Sequence, residues 1–121
     1  MLNCAFCQIK EVILENDLAL AFYDTYPVNK GHLLIIPKRH VEQYFDLTNQ
    51  ERAAIDQLLF EGKKLLDEQY QPDGYNIGVN CGESAGQTIF HVHVHLIPRY
   101  KNDLEDPRGG VRGVIPAKRI Y

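Results

Sequence analysis

The sequence predicts an α+β domain: an antiparallel sheet of about five strands carrying one long helix on a face. Three observations point there. Short apolar, β-branched runs recur between turn residues. One segment alone shows sustained helical periodicity. The chain has 121 residues and no low-complexity linker, which is room for one core and not for two.

The elements follow in chain order. Val12, Ile13 and Leu14 read as a short strand, Glu15-Asn16-Asp17 as a turn, and Leu18 to Tyr23 as a second strand, so the pair is a hairpin. Tyr26 to Gly31 is a loop punctuated by Pro27 and Gly31. His32 to Ile36 is a buried strand ending at Pro37. Thr48 to Tyr70 is the helix. Thr48 and Glu51 form a capping box, and Ile55, Leu58, Leu59, Leu65 and Leu66 make one apolar stripe. Gly62 falls on that stripe and permits close approach of a strand. Pro72-Asp73-Gly74 ends the helix. Tyr75 to Asn80 is a strand, Gly82 to Gly86 a loop, and His91 to Ile97 a further strand. The tail from Lys101 is charged and Gly-rich, irregular apart from a short strand near Val111 to Ile115. The domain therefore spans 1–121, with a core over about 4–100 and a tail over 101–121.

Bulk properties exclude some functions. A net charge of −3 argues against non-specific binding of nucleic acid, which requires a basic surface. No apolar run reaches the ~20 residues of a membrane span. The N-terminus, from Met1 to Cys7, lacks the pattern of a secretory signal. Three cysteines without such a signal read as reduced thiols in a cytoplasmic protein.

Three of the five histidines, His91, His93 and His95, stand at alternate positions. On a strand they share one face, while Val92, Val94 and Leu96 pack into the other. Packing alone does not call for three titratable rings together. Either they ligate a metal, or one imidazole is a nucleophile and the others position an anion. The preceding loop, Asn80-Cys81-Gly82-Glu83-Ser84-Ala85-Gly86-Gln87-Thr88, offers backbone N–H, amide and hydroxyl donors suited to phosphate oxygens; taken alone it is an ordinary turn.

The string His91-Val92-His93-Val94-His95-Leu96-Ile97 resembles the motif of the histidine triad (HIT) family. The resemblance extends through Gly86-Gln87-Thr88 and Asn80, the run from Gly31 to His40, and Cys4-Ala5-Phe6-Cys7-Gln8-Ile9. It implies a HIT-like fold with a short helix beside the long one, and a homodimer that extends the sheet across two subunits. It also implies an enzyme, a nucleotide hydrolase acting at the α-phosphorus of a purine nucleotide conjugate. His93 is then the nucleophile, His95 contacts the phosphate, and His91 completes the triad. Gln87, Thr88 and Asn80 assist at the phosphate, Asp24 holds the ribose hydroxyls, and Phe6, Ile9 and Phe22 form an apolar slot for the base. For these three, core packing is an equal reading. Dinucleoside polyphosphates are the preferred substrates, because the C-terminal Pro-Arg pattern resembles that branch; nucleoside phosphoramidates are the alternative. Arg99, Arg108 and Arg112 either hold distal phosphates or are solvated charges. Some family members bind structural zinc, and the matching ligands are Cys4, Cys7, His40 and His91. Cys81 has no partner in the motif, and His32 reads as structural. Two further readings stay open: a metal-binding protein in which the triad itself coordinates the ion, and a nucleotide-binding module without turnover.

Overall fold

The computed structural model describes residues 3–121; Met1 and Leu2, part of the segment read for a secretory signal, lie outside the described residues. Five strands form one antiparallel sheet: β1 (Leu14–Glu15), β2 (Ala19–Tyr23), β3 (Leu33–Pro37), β4 (Gly74–Val79) and β5 (Val94–Arg99), in the order β1-β2-β3-β5-β4. Helix α1 (Asn49–Tyr70) lies across one face, against β1, β2, β3 and β5. The expected α+β architecture is present. The short helical pieces are 3-10 turns, the first at Ala5–Gln8. No described helix is long and apolar enough to cross a membrane.

The two-residue period of the strands divides the labour between faces. Ala19, Ala21, Ile35 and Val94 join Ile55 and Leu58 of the helix in one core cluster, and Leu33 and Leu96 join Leu66 in another. On the opposite face, Phe22, Leu34 and Ile36 pack with Phe6, Ile9 and Leu20, and Leu34 pairs with His95 across the β3–β5 ladder. Val92, Val94 and Leu96 are buried as the alternation predicts. Gly62 has the expected role. A Cβ there would meet Leu33 and Leu96 side chains at 3.2 Å, so its absence lets the helix settle onto the sheet.

The hairpin turn is held by Asn16, whose side-chain oxygen accepts the backbone N–H groups of Leu18 and Ala19. At the start of α1 the Thr48–Glu51 capping box forms in full. Glu51 also accepts two hydrogen bonds from Arg39, at 2.9 and 2.8 Å, tying the helix N-terminus to the segment after β3.

β1 covers Leu14–Glu15 rather than Val12 to Leu14, the ends of β2, β3 and β4 shift by a residue, and two larger departures from the sequence reading stand out. β5 begins at Val94, not at His91, because the chain there leaves the ladder: the His91 ring turns inward and the Val92 N–H bonds Val41 O. The expected strand near Val111 to Ile115 is instead a 3-10 turn over Gly110–Val114, followed by another over Pro116–Lys118. Gly109 and Gly110 adopt positive φ and curl the chain. Arg119 then donates to the carbonyls of Asp106 and Arg108, which closes the curl.

The Arg39 pair holds the Glu51 carboxyl down from its ordinary 4.5 to about 2. Its folded pKa is depressed, so its contribution is complete above the unfolded value and is lost as pH falls toward about 2. Denaturation titrations between pH 5 and 2 should therefore show wild-type stability falling more steeply than that of Glu51→Gln, which starts less stable by roughly 1–3 kcal/mol.

Candidate active site and metal centre

His93 is the last residue before β5, and its placement comes from the main chain of His91. Nδ1 of His93 lies 3.0 Å from the carbonyl oxygen of His91. A carbonyl only accepts, so Nδ1 carries the proton and the lone pair resides on Nε2. The ring is flanked edge-on by Phe6, with centroids 5.0 Å apart, and by His95 at 5.3 Å.

The next ring is set by a relay of hydrogen bonds. The Val28 N–H donates to Nδ1 of His32 at 3.0 Å, which leaves the His32 proton on Nε2. That nitrogen faces Nδ1 of His95 at 2.9 Å and donates to it. His95 must then hold its own proton on Nε2, as a donor. Burial, reinforced by His32 and His93, lowers the His95 pKa to about 4, and burial also lowers that of His32. Both rings are thus neutral near pH 7. His32, expected to be structural, is indeed buried and hydrogen-bonded, but its partner is a triad histidine. Spacing within one strand cannot reveal that pairing, since the two residues come from opposite strands.

Two cavities lie nearby, one against Phe6 and one against His32 and His95. One, of ≈ 400 Å³, is lined by Phe6, Ile9, Phe22, Tyr23 and Thr25 among others. The other, of ≈ 470 Å³, lies beside His95 and His32, with Asp24, Asn76 and Asn80 and with Val111 and Val114 from the tail. Asp24 keeps one oxygen on the Tyr26 N–H and places the other 3.5 Å from His32 Nε2.

Four donors meet on the other side of His91. Its Nδ1 lies 3.5 Å from the sulfurs of both Cys4 and Cys7, and Cys7 lies 3.2 Å from Nδ1 of His40. The four ligand atoms fall within 4.8 Å of one another. Tetrahedral zinc with ordinary Zn–S and Zn–N bonds sets sulfur and nitrogen about 3.6 Å apart, close to this spacing. The tautomer is also right: Nε2 of His91 donates to Pro37 O at 2.8 Å, which leaves Nδ1 free as a ligand. Burial lowers the His91 pKa, favouring the neutral, ligating form.

A second cluster, Asp24, His32 and His95, is equally compact but fits a metal poorly. Nδ1 of His32 already accepts a backbone N–H, so ligation through Nε2 would demand an imidazolate. The donor set argues against the triad itself as a metal centre. The three histidines accordingly divide: His91 faces the cysteines, His95 lines the cavity it shares with His32, and His93 lies between Phe6 and His95 in ring contact with both.

Several residues expected at the phosphate are used elsewhere. The Gln87 amide donates to Glu42 O and Ile89 O and accepts the Gly82 N–H, so it braces its own loop. Thr88 is exposed and lines a small cavity with Asn3, Cys4 and His40. Neither lines the cavity beside His95. Arg99 grips Asp103 and donates to Asn76, Arg108 pairs with Asp106, and Arg112 donates to Lys118 O and stacks on Tyr121. None of the three arginines lines the cavity either. Asp103 for Arg99, Asp106 for Arg108 and the Lys118 carbonyl for Arg112 are the closer partners. Cys81 is free and half-buried.

The HIT domain pattern matches residues 7–102, and the chain belongs to the histidine triad family. A HIT family protein from Bacillus anthracis superimposes with a TM-score of 0.78 at 38% identity, covering 84% of this chain and 76% of that one. A Zn-bound histidine triad family protein from Mycobacterium smegmatis has a TM-score of 0.78 at 30% identity, over 87% of this chain and 81% of that one. AP-4-A phosphorylase of Mycobacterium tuberculosis is 36% identical over 93 residues, 76% of this chain but 48% of its own length.

The His95 ring provides a check on the relay. Imidazole NMR should show His95 still neutral at pH 5.5, with a midpoint near 4, about where burial and its neighbours place it. Its folded pKa lies below the unfolded value of 6.5, so this group's effect is to reduce stability as pH falls from 6.5 toward 4. A midpoint at 6.5 would mean that the ring is solvated and the relay broken.

Proposed function

We propose that this protein is a hydrolase of nucleotide conjugates that works through a nucleotidyl-histidine intermediate. The observation that carries this reading is the 3.0 Å bond between His93 Nδ1 and His91 O, which commits the proton and leaves Nε2 free to attack. Nε2 forms a bond to the α-phosphorus as the bond to the leaving group breaks. Water then attacks phosphorus from the opposite side, the P–N bond breaks, and nucleoside monophosphate departs with His93 restored. The His91 carbonyl stabilises the positive charge that develops on the ring. His95, holding its proton on Nε2, hydrogen-bonds a phosphate oxygen. The base lies against Phe22 and Ile9, and the free oxygen of Asp24 accepts from the ribose. Asn80 serves the leaving-group side. Gln87 acts indirectly, by shaping its loop.

Two leaving-group readings have separate support. A relative with the name AP-4-A phosphorylase favours dinucleoside polyphosphates. The cavity beside His95 favours phosphoramidates, because its lining holds Asp24 and neutral side chains and no lysine or arginine. A released polyphosphate would meet no countercharge there. Of the two, the cavity speaks for this chain's own residues, and the amine leaving group is the better fit.

The same proposal assigns zinc to Cys4, Cys7, His40 and His91, where it would pin the N-terminal turn to the sheet. Pairing of two copies through the free edge of β4, where Ile77 is exposed, completes it.

Incubation with adenosine 5′-phosphoramidate and with diadenosine tetraphosphate should release AMP from both, faster from the phosphoramidate. His93→Ala should lower kcat on the order of 10³-fold or more. No AMP from either substrate, or equal turnover by the variant, would sink the assignment. Separately, the purified chain should carry about one zinc and Cys4→Ser much less; unchanged zinc in that variant would remove the four-ligand site.

A further inference from the structure

Phe6 occupies a place that neither the base slot nor the core explains fully. It sits on the one-turn segment Ala5–Gln8, directly between the two cysteines of the metal cluster. Its ring meets three others: Phe22 at 5.3 Å, His91 at 6.4 Å and His93 at 5.0 Å, the last at an interplanar angle of 84°. We infer that Phe6 is a positioning residue for the His93 ring, and that the Cys4, Cys7, His40 and His91 cluster acts on the nucleophile through it. The inference rests on His93 being the nucleophile.

The physical case begins with the ring's freedom. The imidazole torsion about Cβ–Cγ is broad and roughly two-fold, so one hydrogen bond does not by itself exclude a flipped ring. A flip of about 180° would exchange Nδ1 with a carbon, lose the bond to His91 O and move Nε2 off the line of attack. Phe6 and His95 pack edge-on against the ring, with centroids 5.0 and 5.3 Å away, and crowd that turn. His95 is held by β5 and by His32. Phe6 has no strand to hold it: its segment belongs to no sheet. The sulfurs on either side of Phe6 are directed at His91 and His40. The Phe6 ring is therefore set jointly by its packing on Phe22, Leu34 and Ile36 and by where the two flanking sulfurs are held.

His91 closes the circuit from the other side. Its ring belongs to the cluster, its Nε2 bonds Pro37 O, and its carbonyl bonds His93. Binding an ion at the cluster thus fixes two of the restraints on the nucleophile at once. The site becomes a means of making turnover conditional on the metal, without the ion touching substrate.

Steady-state kinetics on adenosine 5′-phosphoramidate separate this role from a base contact. Phe6→Leu keeps the apolar bulk and loses the aromatic edge. Its kcat should fall on the order of tenfold to a hundredfold while KM changes by less than about threefold. Phe6→Tyr, which keeps the edge, should retain kcat within about threefold. Removing the metal from wild type should lower kcat by a factor similar to Phe6→Leu, and removing it from Phe6→Leu should add little, since both act on one ring. A readout independent of turnover is the His93 Nδ1–H resonance. It should be protected from exchange in the metal-loaded wild type, and lost to exchange both in Phe6→Leu with its metal content intact and in stripped wild type. A rise in KM with kcat preserved would make Phe6 a base contact and overturn the inference. So would losses that simply multiply, or a protected resonance in Phe6→Leu. The underlying reading is judged apart: His93→Ala without turnover leaves it standing whatever Phe6 does, and His93→Ala with turnover removes it.

Discussion

A neutral imidazole attacks phosphorus only through the nitrogen that does not carry its proton, so a proton acceptor must be present on the other side of the ring. Here that acceptor is a main-chain carbonyl two residues away, at 3.0 Å. A carbonyl cannot take the proton outright as a carboxylate might, so the ring keeps the tautomer with its lone pair on Nε2, and in the proposed reaction the same carbonyl would stabilise charge developing on the ring. The geometry requires the chain at His91 to leave the ladder and turn its ring inward. The buried contacts of His91 with Pro37 O and the two sulfurs are what hold it there.

The rest of the fold is arranged around that local departure. The helix covers one face of the sheet completely enough that β2, β3 and β5 can present their alternate residues to the other face. Gly62 makes the approach close, and the Glu51–Arg39 pair anchors the helix to the end of β3, from which His40 follows. The hydrogen-bond relay from Val28 through His32 to His95 is the counterpart on the cavity side. Pro37 orients the His91 ring and His32 the His95 ring, while the His93 ring is oriented from within the triad by the His91 carbonyl.

Local signals in the sequence carried the elements whose causes are local. The capping box at Thr48 and Glu51, the apolar stripe of the helix and the Asn16 turn all depend on residues within a few positions of one another. The donor cluster of Cys4, Cys7, His40 and His91 was legible only through resemblance, since its members are far apart in sequence. Three features were not legible. The alternation of His91 to His95 reads as strand throughout, because period-two spacing does not report where hydrogen bonding to a neighbour stops. Gln87 looks like a phosphate ligand until the carbonyls of Glu42 and Ile89 are seen beside it. Arg99, at the end of β5, and Arg108 and Arg112 of the tail look available until Asp103, Asp106 and the Lys118 carbonyl are placed.

A covalent bond between His93 and phosphorus, the step on which the proposed function depends, would leave its record in the stereochemistry at that phosphorus. An adenosine phosphoramidate made chiral at the α-phosphorus with sulfur, hydrolysed in oxygen-18 water, reports the number of displacements. Two in-line steps through His93 give overall retention of configuration. Inversion would mean a single attack by water, with the imidazole no more than a bystander or base, and would contradict the account.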